Sequence, residues 1–122
     1  MNKNKNNKSK NEERLVQISA GQTTLEGNLI IPKSSRGIVL FAHGSGSSRR
    51  SPRNKYVAEV LQDAGIATLL IDLLTEEEEI DLQTRHLQFD IDLLAQRLIE
   101  ATDWLKQDQN IQTKNLSVGK QF

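Results

Sequence analysis

One stretch of the sequence combines residue types that stabilise a developing negative charge. It runs Phe41-Ala-His43-Gly44-Ser45-Gly46-Ser47-Ser48-Arg49-Arg50, between an apolar run and the start of a predicted helix. Its small residues let the backbone turn sharply and present N–H groups to an oxygen, and the N-terminus of the following helix adds partial positive charge. The stretch therefore predicts an anion-stabilising loop at the carboxyl end of a strand.

Two nucleotide-binding motifs do not fit this loop. Gly44 and Gly46 begin a Gly-x-Gly sequence, but Arg49 occupies the position of the third glycine of a dinucleotide motif, and no Gly-Lys-Ser/Thr follows. A phosphate or carboxylate site remains open as an alternative, because Arg49, Arg50 and Arg53 could pair with an anion. In that case the chain is a small anion-binding α/β module that uses Ser45, Gly46 and Arg49.

The remaining polar residues give no metal or cofactor site. The sequence has two histidines, His43 in the loop and His86 near the longest predicted helix, and it has no cysteine. Zinc and similar metals take most of their ligands from these two residue types. We therefore predict no metal and no cofactor, and we interpret His86 as a surface residue. Asp72 follows an apolar run, where it either lines a pocket or caps a turn.

The elements that must position the loop follow from the hydrophobic pattern. Residues 14–20 and 24–31 alternate on either side of Gly21-Gln22, which predicts an antiparallel strand pair. Residues 37–42 and 66–71 are continuous apolar runs, as expected for strands that are covered on both faces. A last strand begins at Leu116.

Helices are predicted between these strands. The first begins near Pro52 and ends at Gly65, and its apolar stripe contains Tyr56, Val57, Val60, Leu61 and Ala64. The second is longer, and its stripe contains Leu87, Ile91, Leu94, Leu98, Thr102 and Leu105. The aromatic residues on or beside these stripes are interpreted as core or border packing; they are Tyr56, Phe89 and Trp104. Residues 73–83, with four consecutive Glu, are predicted to form a solvated loop or helical turn.

Charge is unevenly distributed along the 122 residues. Residues 1–55 carry 11 Lys/Arg and 3 Asp/Glu, whereas residues 56–122 carry 5 and 13. Four of the lysines lie within residues 1–10, so we predict residues 1–13 to be a disordered tail and residues 14–122 to be the domain. We expect no nucleic-acid partner and no membrane association. Without cysteines, a signal peptide or an apolar span, the expected compartment is the cytosol.

Taken in order, the predicted elements resemble the start of an α/β-hydrolase. They are the strand pair, the strand ending in Phe41-Ala-His43-Gly44, the Gly/Ser loop, the helix over 56–65 and the strand Ile66-Ala-Thr-Leu-Leu-Ile-Asp72. The dienelactone-hydrolase-like group is the most similar branch, and the resemblance extends from Leu15 to about Gly119. It implies the N-terminal half of an α/β-hydrolase fold. An antiparallel strand pair then leads into a mostly parallel sheet with flanking helices.

The resemblance also implies roles for the loop residues. The backbone N–H of Ser45 would contribute to an oxyanion hole, Gly44 and Gly46 would shape the turn, and His43 would shape the loop rather than act as the catalytic base. The family's nucleophile lies in a Gly-x-Ser/Cys-x-Gly sequence, which these 122 residues do not contain. Ser117 has Asn115 in place of the first glycine, so we interpret it as structural.

These observations lead us to expect a truncated hydrolase of the carboxylic ester type. It would stop before the nucleophile, acid and base histidine, and it would therefore be inactive alone. Its substrate, if the site were completed, would be a small-molecule ester or lactone. Two alternatives stay open: the anion-binding module described above, and a subunit completed by a separate C-terminal chain.

Overall fold

The computed structural model describes residues 12–44, 48–85, 90–108 and 117–121 of the chain. These residues form five strands and three helices in the order β1, β2, β3, α1, β4, α2, α3, β5. Their bounds are β1 Glu12–Ala20, β2 Thr23–Ile31, β3 Gly37–His43, α1 Pro52–Asp63, β4 Ala67–Asp72, α2 Glu76–Arg85, α3 Ile91–Gln107 and β5 Ser117–Gln121. The first strand begins two residues before the predicted start at Arg14.

The five strands form one mixed sheet in the order β1-β2-β4-β3-β5. The pair β1–β2 is antiparallel at one edge, β2 joins β4 in antiparallel register, and β4, β3 and β5 run parallel. This arrangement confirms the predicted fold class, an antiparallel strand pair that leads into parallel strands with flanking helices. The carboxyl ends of β3 and β4 consequently lie side by side at one rim of the sheet.

The core is divided between the two faces of the sheet. On the face covered by α3, fifteen buried residues form one cluster, against which Leu94, Leu98 and Trp104 pack. On the face covered by α1, only Phe41, Ala58 and Leu70 form a buried cluster. The continuous apolar runs of β3 and β4 are needed because both faces of these central strands are covered.

Helix α1 begins and ends where the sequence predicts. Ser51 precedes it, and Pro52 occupies its first turn. At the other end Gly65 adopts a φ of 84°, and the N–H groups of Gly65 and Ile66 donate to the carbonyls of Gln62 and Leu61 at 3.0 and 2.9 Å. This is a Schellman motif, which satisfies carbonyls at the helix end and turns the chain directly into β4.

Three predictions about the helices are wrong. Tyr56, Val57 and Val60 are exposed on α1, because the buried face of this helix contains Ala58 and Gln62 instead. Ile91 is exposed in the first turn of α3, and the buried face of this helix includes Arg97 and Ala101. Residues 73–83 were predicted to form a solvated loop or helical turn, whereas Glu76–Arg85 form the ten-residue helix α2.

Candidate active site

The candidate site begins where β3 ends. His43 is the last residue of β3 and is only 5% exposed. It lies opposite Asp72, the last residue of β4, and the N–H of Leu73 donates to the His43 carbonyl at 2.9 Å. The two strand ends are therefore held together, and Gly44 continues from them at the carboxyl rim, where ligands bind in open α/β sheets.

The ring of His43 contacts the first turn of α1. Asn54 donates through Nδ2 to the Ser48 carbonyl at 2.8 Å, so this amide nitrogen is identified as a donor. The same nitrogen lies 3.4 Å from Nδ1 of His43. The other ring nitrogen, Nε2, is buried and has no hydrogen-bond partner among the described residues.

The electrostatic surroundings keep the His43 ring neutral. Burial lowers the pKa of His43, and the negative charge of Asp72 opposes this effect without cancelling it. A neutral ring has one donor and one acceptor nitrogen and is compatible with the contact with Asn54. His43 therefore contacts Asn54 through its ring and Leu73 through its carbonyl, and its ring is neutral at neutral pH.

Arg49 and Asp72 join the far end of the loop to β4. The backbone N–H of Arg49 donates to Oδ1 of Asp72 at 2.8 Å, and its Nη1 donates to Oδ2 at 2.9 Å. Nη2 lies 3.4 Å from Oε1 of Glu26, on β2. The Arg49 side chain is 8% exposed and that of Asp72 is 22% exposed, so most of this contact is shielded from water.

A cavity of about 430 Å³ opens beside these residues. Its polar lining includes Gly44, Ser48, Arg49, Arg50 and Thr75, together with the carboxylates of Glu26, Asp72, Glu76, Glu77 and Glu79. Five carboxylates against two arginines give the lining an excess of negative charge, and one of these arginines is already paired with Asp72. The cavity is therefore better suited to a neutral ligand than to a strongly anionic one.

Helix α2 forms one wall of this cavity and is fixed by its own first turn. The N–H of Thr75 donates to Oε1 of Glu78 at 2.9 Å, and the N–H of Glu78 lies 3.2 Å from Oγ1 of Thr75, which is a capping box. Arg97 of α3 donates to both Glu78 oxygens, at 2.6 and 2.8 Å, and to the Leu73 carbonyl at 2.8 Å. The wall is thus tied both to α3 and to the end of β4.

The arrangement matches a known fold. No family model matches the sequence. Among solved structures, a dienelactone hydrolase from Anabaena variabilis is 64% identical, with a TM-score of 0.79, over 91% of this chain and 51% of that protein. The chain is dienelactone-hydrolase-like and has the N-terminal half of the α/β-hydrolase fold. It spans about half the length of that hydrolase.

Other relatives of this dienelactone-hydrolase-like chain are more distant or much longer. An esterase from Pyrococcus furiosus is 21% identical with a TM-score of 0.66, over 90% of this chain and 41% of that protein, and shares the fold. Two proteins from strains of Mycobacterium tuberculosis, whose names propose a phosphoribosyl transferase, are 57% identical over 104 residues. That match covers 85% of this chain and 22% of each relative.

The sequence-predicted site residues of the dienelactone-hydrolase-like chain fall into three groups. His43 and Gly44 lie together at the rim, with Asp72 beside them. Ser45 and Gly46 lie outside the described residues, as do His86 and Phe89. Ser117 is the first residue of β5, a strand position rather than a turn.

The arginines predicted as anion ligands are differently placed. Arg49 is buried and paired with Asp72, whereas Arg50 is exposed and lies 3.9 Å from Glu76. Arg53 is an exposed residue of α1. The three side chains are thus in different environments, and only the first two line the cavity.

Two aromatic predictions have opposite outcomes. Trp104, on α3, packs against the core, as predicted. Tyr56 is 66% exposed, so the prediction that it packs in the core or at its border is wrong. Its side chain points away from the sheet because the smaller Ala58 occupies the buried position of α1.

Sequence reasoning missed Asn54 and Glu26. Asn54 looked like an ordinary helix residue, and Glu26 like the polar half of an alternating strand. Both contact the loop flanks only because α1 and β2 come together around the ends of β3 and β4. A hint for Asn54 was its position in the first helical turn, where Asn side chains commonly bond to nearby backbone groups.

The described residues contain no group of three His, Asp or Glu side chains arranged to hold a metal ion. Within the same part of the chain, no helix has the length and apolar character that crossing a bilayer requires.

Proposed function

We propose that this chain supplies the oxyanion-loop half of a hydrolase for small esters or lactones. The observation that carries the proposal is the loop entry itself, with neutral His43 and Gly44 at the carboxyl rim beside a cavity, in a chain 64% identical to a dienelactone hydrolase. Ser45 follows directly, and its backbone N–H would donate to the carbonyl oxygen as negative charge develops there. Gly44 and Gly46 would give the turn its shape.

The complete reaction would need groups that these 122 residues do not contain. A Ser or Cys nucleophile would attack the carbonyl carbon, and the tetrahedral oxyanion would collapse to an acyl-enzyme as the alcohol leaves. Water would then release the acid. One oxyanion donor is worth about 3 kcal/mol, whereas the nucleophile and base act as a unit worth roughly a million-fold in rate. We therefore expect no turnover by the chain alone.

The first test is hydrolysis of p-nitrophenyl acetate by the purified chain. The expected rate equals that of buffer, because an oxyanion loop without a nucleophile cannot form an acyl-enzyme. His43→Ala should leave that background unchanged. Turnover well above buffer that disappears in His43→Ala would contradict the proposal, since it would make His43 part of a complete site within this chain.

The second test joins the chain to the C-terminal half of the Anabaena variabilis dienelactone hydrolase, which lies outside the matched 51% of that protein. The fusion should hydrolyse esters, and Ser45→Pro, which removes the backbone N–H, should lower kcat by about 10² to 10³. Ser45→Ala is the matched control, because it removes only the hydroxyl and should keep kcat within about twofold. Equal losses in both variants, or an inactive fusion, would count against the oxyanion role.

The same experiment addresses a partner chain. If the two halves are produced as separate polypeptides and activity appears on mixing, a C-terminal partner chain can complete the site in trans. Activity in the fusion but not in the mixture would restrict the proposal to a continuous chain.

The absence of cysteines keeps the cytosol as the proposed compartment.

Phosphoribosyl transfer is a second candidate, because the names of the Mycobacterium tuberculosis relatives propose it. This chain matches only 22% of those proteins, so most of their length lies outside the match. Phosphoribosyl pyrophosphate would also meet the excess of carboxylates around the cavity, and Arg49 is engaged by Asp72. We therefore favour the hydrolase.

Calorimetric titration distinguishes the candidates that bind anions. Neither phosphoribosyl pyrophosphate nor inorganic phosphate should bind measurably at millimolar concentration. Binding of the first alone would support the transferase, and binding of both, with loss in Arg49→Gln, would support the anion-binding module.

A further inference from the structure

Asp72 contacts the loop from a strand to which the loop does not belong. The loop leaves β3 at Gly44 and returns at Ser48 before α1, whereas Asp72 ends β4. We propose that Asp72 is a positioning residue, which fixes the returning flank of the oxyanion loop against β4 through Arg49. We call the pair of Asp72 and Arg49 the clasp. Its catalytic meaning rests on the proposed function, but its geometry is independent of it.

The clasp fixes both position and direction of the backbone. One oxygen of Asp72 accepts the main-chain N–H of Arg49, and the other accepts Nη1 of the same residue, at 2.8 and 2.9 Å. Two bonds from one carboxylate to one residue leave that residue little freedom to rotate or slide. Hydrogen bonds to a charged group are stronger than neutral ones, more so when they are shielded from water.

The returning flank has further contacts at Ser48. Asn54 donates to the Ser48 carbonyl and contacts His43, and the N–H of Ser51 also donates to the Ser48 carbonyl at 3.0 Å. These contacts tie the loop to α1 and to the end of β3, but none of them reaches β4. Asp72 therefore supplies the side-chain contact that joins the returning flank to β4, whereas the departing flank is joined to the end of β4 by the Leu73 N–H bond to the His43 carbonyl.

A second ion pair in the same cavity serves as the comparison. Arg50 and Glu76 approach to 3.9 Å, with side chains 64% and 89% exposed. A pair this exposed contributes little. Glu76→Gln therefore removes one carboxylate from the cavity, as Asp72→Asn does, without breaking a shielded contact.

The test is amide hydrogen exchange by NMR on the 122-residue chain, with Asp72→Asn and Glu76→Gln measured beside it. An asparagine side chain has one acceptor oxygen and presents an NH₂ group to the second Arg49 donor. We expect exchange of the Arg49 amide to rise at least about tenfold in Asp72→Asn, with the Arg49 guanidinium signal losing its protection. Amides of β3 and β4, such as those of Leu40 and Leu69, should change less than twofold, and Glu76→Gln should leave all of them unchanged.

Each other outcome overturns the proposal. An unchanged Arg49 amide would show that Asp72 does not hold the flank, and an equal rise across the sheet would make its role general stability. An equal rise in Glu76→Gln would show that the charge of the cavity, and not the contact between Asp72 and Arg49, controls exchange of the Arg49 amide. If Asp72→Asn does not fold, Arg49→Lys replaces it, because it keeps the charge and the main-chain bond. The exchange rate of the amide at position 49 must then rise about threefold more than the rates of the β3 and β4 amides. A smaller difference would overturn the proposal. None of these results depends on ester hydrolysis, so the clasp and the proposed function can fail separately.

Discussion

Two buried arginines, Arg49 and Arg97, hold the rim of the sheet through carboxylates on other elements. Each arginine forms a side-chain ion pair that is accompanied by one main-chain hydrogen bond. Asp72 also accepts a hydrogen bond from the Arg49 amide, and Arg97 also donates to the Leu73 carbonyl. Removing one partner of a shielded pair costs more than the pair contributes, because the remaining charge stays buried. The rim therefore depends on both carboxylates, and at Glu78 it depends on the carboxylate remaining ionised.

Glu78 makes this dependence measurable. The hydrogen bonds from Arg97 lower the pKa of Glu78 from 4.5 to about 2, with burial opposing and the contacts with Thr75 assisting. Because the pKa is lower in the folded state, the stabilisation is complete above pH 4.5 and is lost as the pH falls from 4.5 towards 2. Urea unfolding at a series of pH values should show this loss, on the order of 2 kcal/mol after screening of the partly exposed carboxylate.

Glu78→Gln should remove this pH-dependent component and lower the free energy of unfolding at pH 7. Glu77→Gln is the control, because Glu77 lies in the same first turn of α2 and is exposed. If both variants keep the wild-type slope between pH 4.5 and 2, the coupling of Glu78 to Arg97 is disproved.

The clasp gives a kinetic prediction in the hydrolase fusion. Asp72→Asn should lower kcat about tenfold or more and leave KM within about twofold. Loop placement affects the transition-state oxyanion more than the bound ester. Steady-state kinetics on a p-nitrophenyl ester measures both constants. A rise in KM with unchanged kcat would mean that Asp72 contributes to substrate binding instead.

At the scale of elements, β2 and β4 approach so closely that a side chain at one position between them would crowd its neighbours. A Cβ on Gly27 would lie 3.0 Å from both Cδ1 of Leu69 and the carbonyl oxygen of Leu70. Gly27→Ala should therefore lower the free energy of unfolding by about 1–3 kcal/mol, because the Leu69 side chain and the Leu70 carbonyl must give way to the added methyl group.

Gly44→Ala is the comparison for this prediction. Its Cβ would meet no atom within 4 Å among the described residues. Chemical denaturation of both variants beside the unsubstituted chain decides the point. Equal stability of the Gly27→Ala and unsubstituted chains would show that the register of β2 on β4 is looser than described.

The elements were largely predictable because their signals are local. The β1–β2 alternation, the apolar runs of β3 and β4, and Pro52 and Gly65 at the ends of α1 depend on neighbouring residues only. The buried face of α1 was not predictable from apolar spacing, since Gln62 is buried through a 2.8 Å hydrogen bond to Thr68. Helix α2 was missed because four glutamates resemble solvated surface until Arg97 supplies a partner for Glu78.

The site was predictable only in part for the same reason. His43 and Gly44 could be placed at the rim because a strand end and a Gly/Ser loop are visible in sequence. The pairing of Arg49 with Asp72 joins residues 23 positions apart and requires the parallel register of β3 and β4. Without that register, Arg49 was interpreted as an anion ligand.

At the scale of the whole molecule, the two faces of the sheet are covered unequally. Tyr56, Val57 and Val60 lie on the outer surface of α1, where residues three and four positions apart are neighbours. Among the described residues, β5 pairs with β3 on one side and with no strand on the other. An exposed apolar patch and an unpaired strand edge both favour association.

Self-association of the chain should therefore rise with concentration, and Val57→Lys combined with Val60→Lys should reduce it. The reason is that charged side chains on the patch resist burial. Sedimentation velocity over a tenfold concentration range measures the effect. Arg53→Gln with Glu59→Gln, at exposed polar positions of the same helix, should not change it. A chain that stays monomeric throughout would exclude this patch and edge as association surfaces.

The contacts of Asn54 and Asp72 have a use in engineering. The flank contacts that the structure describes join Ser48 to Asn54 of α1 and Arg49 to Asp72 of β4, so they use none of the positions Ser45, Gly46 and Ser47. In the hydrolase fusion, a library randomised at these three codons would consequently vary the groups presented to a carbonyl oxygen while keeping these contacts. Variants selected from it should retain the parental melting temperature even where their preference for leaving groups has changed.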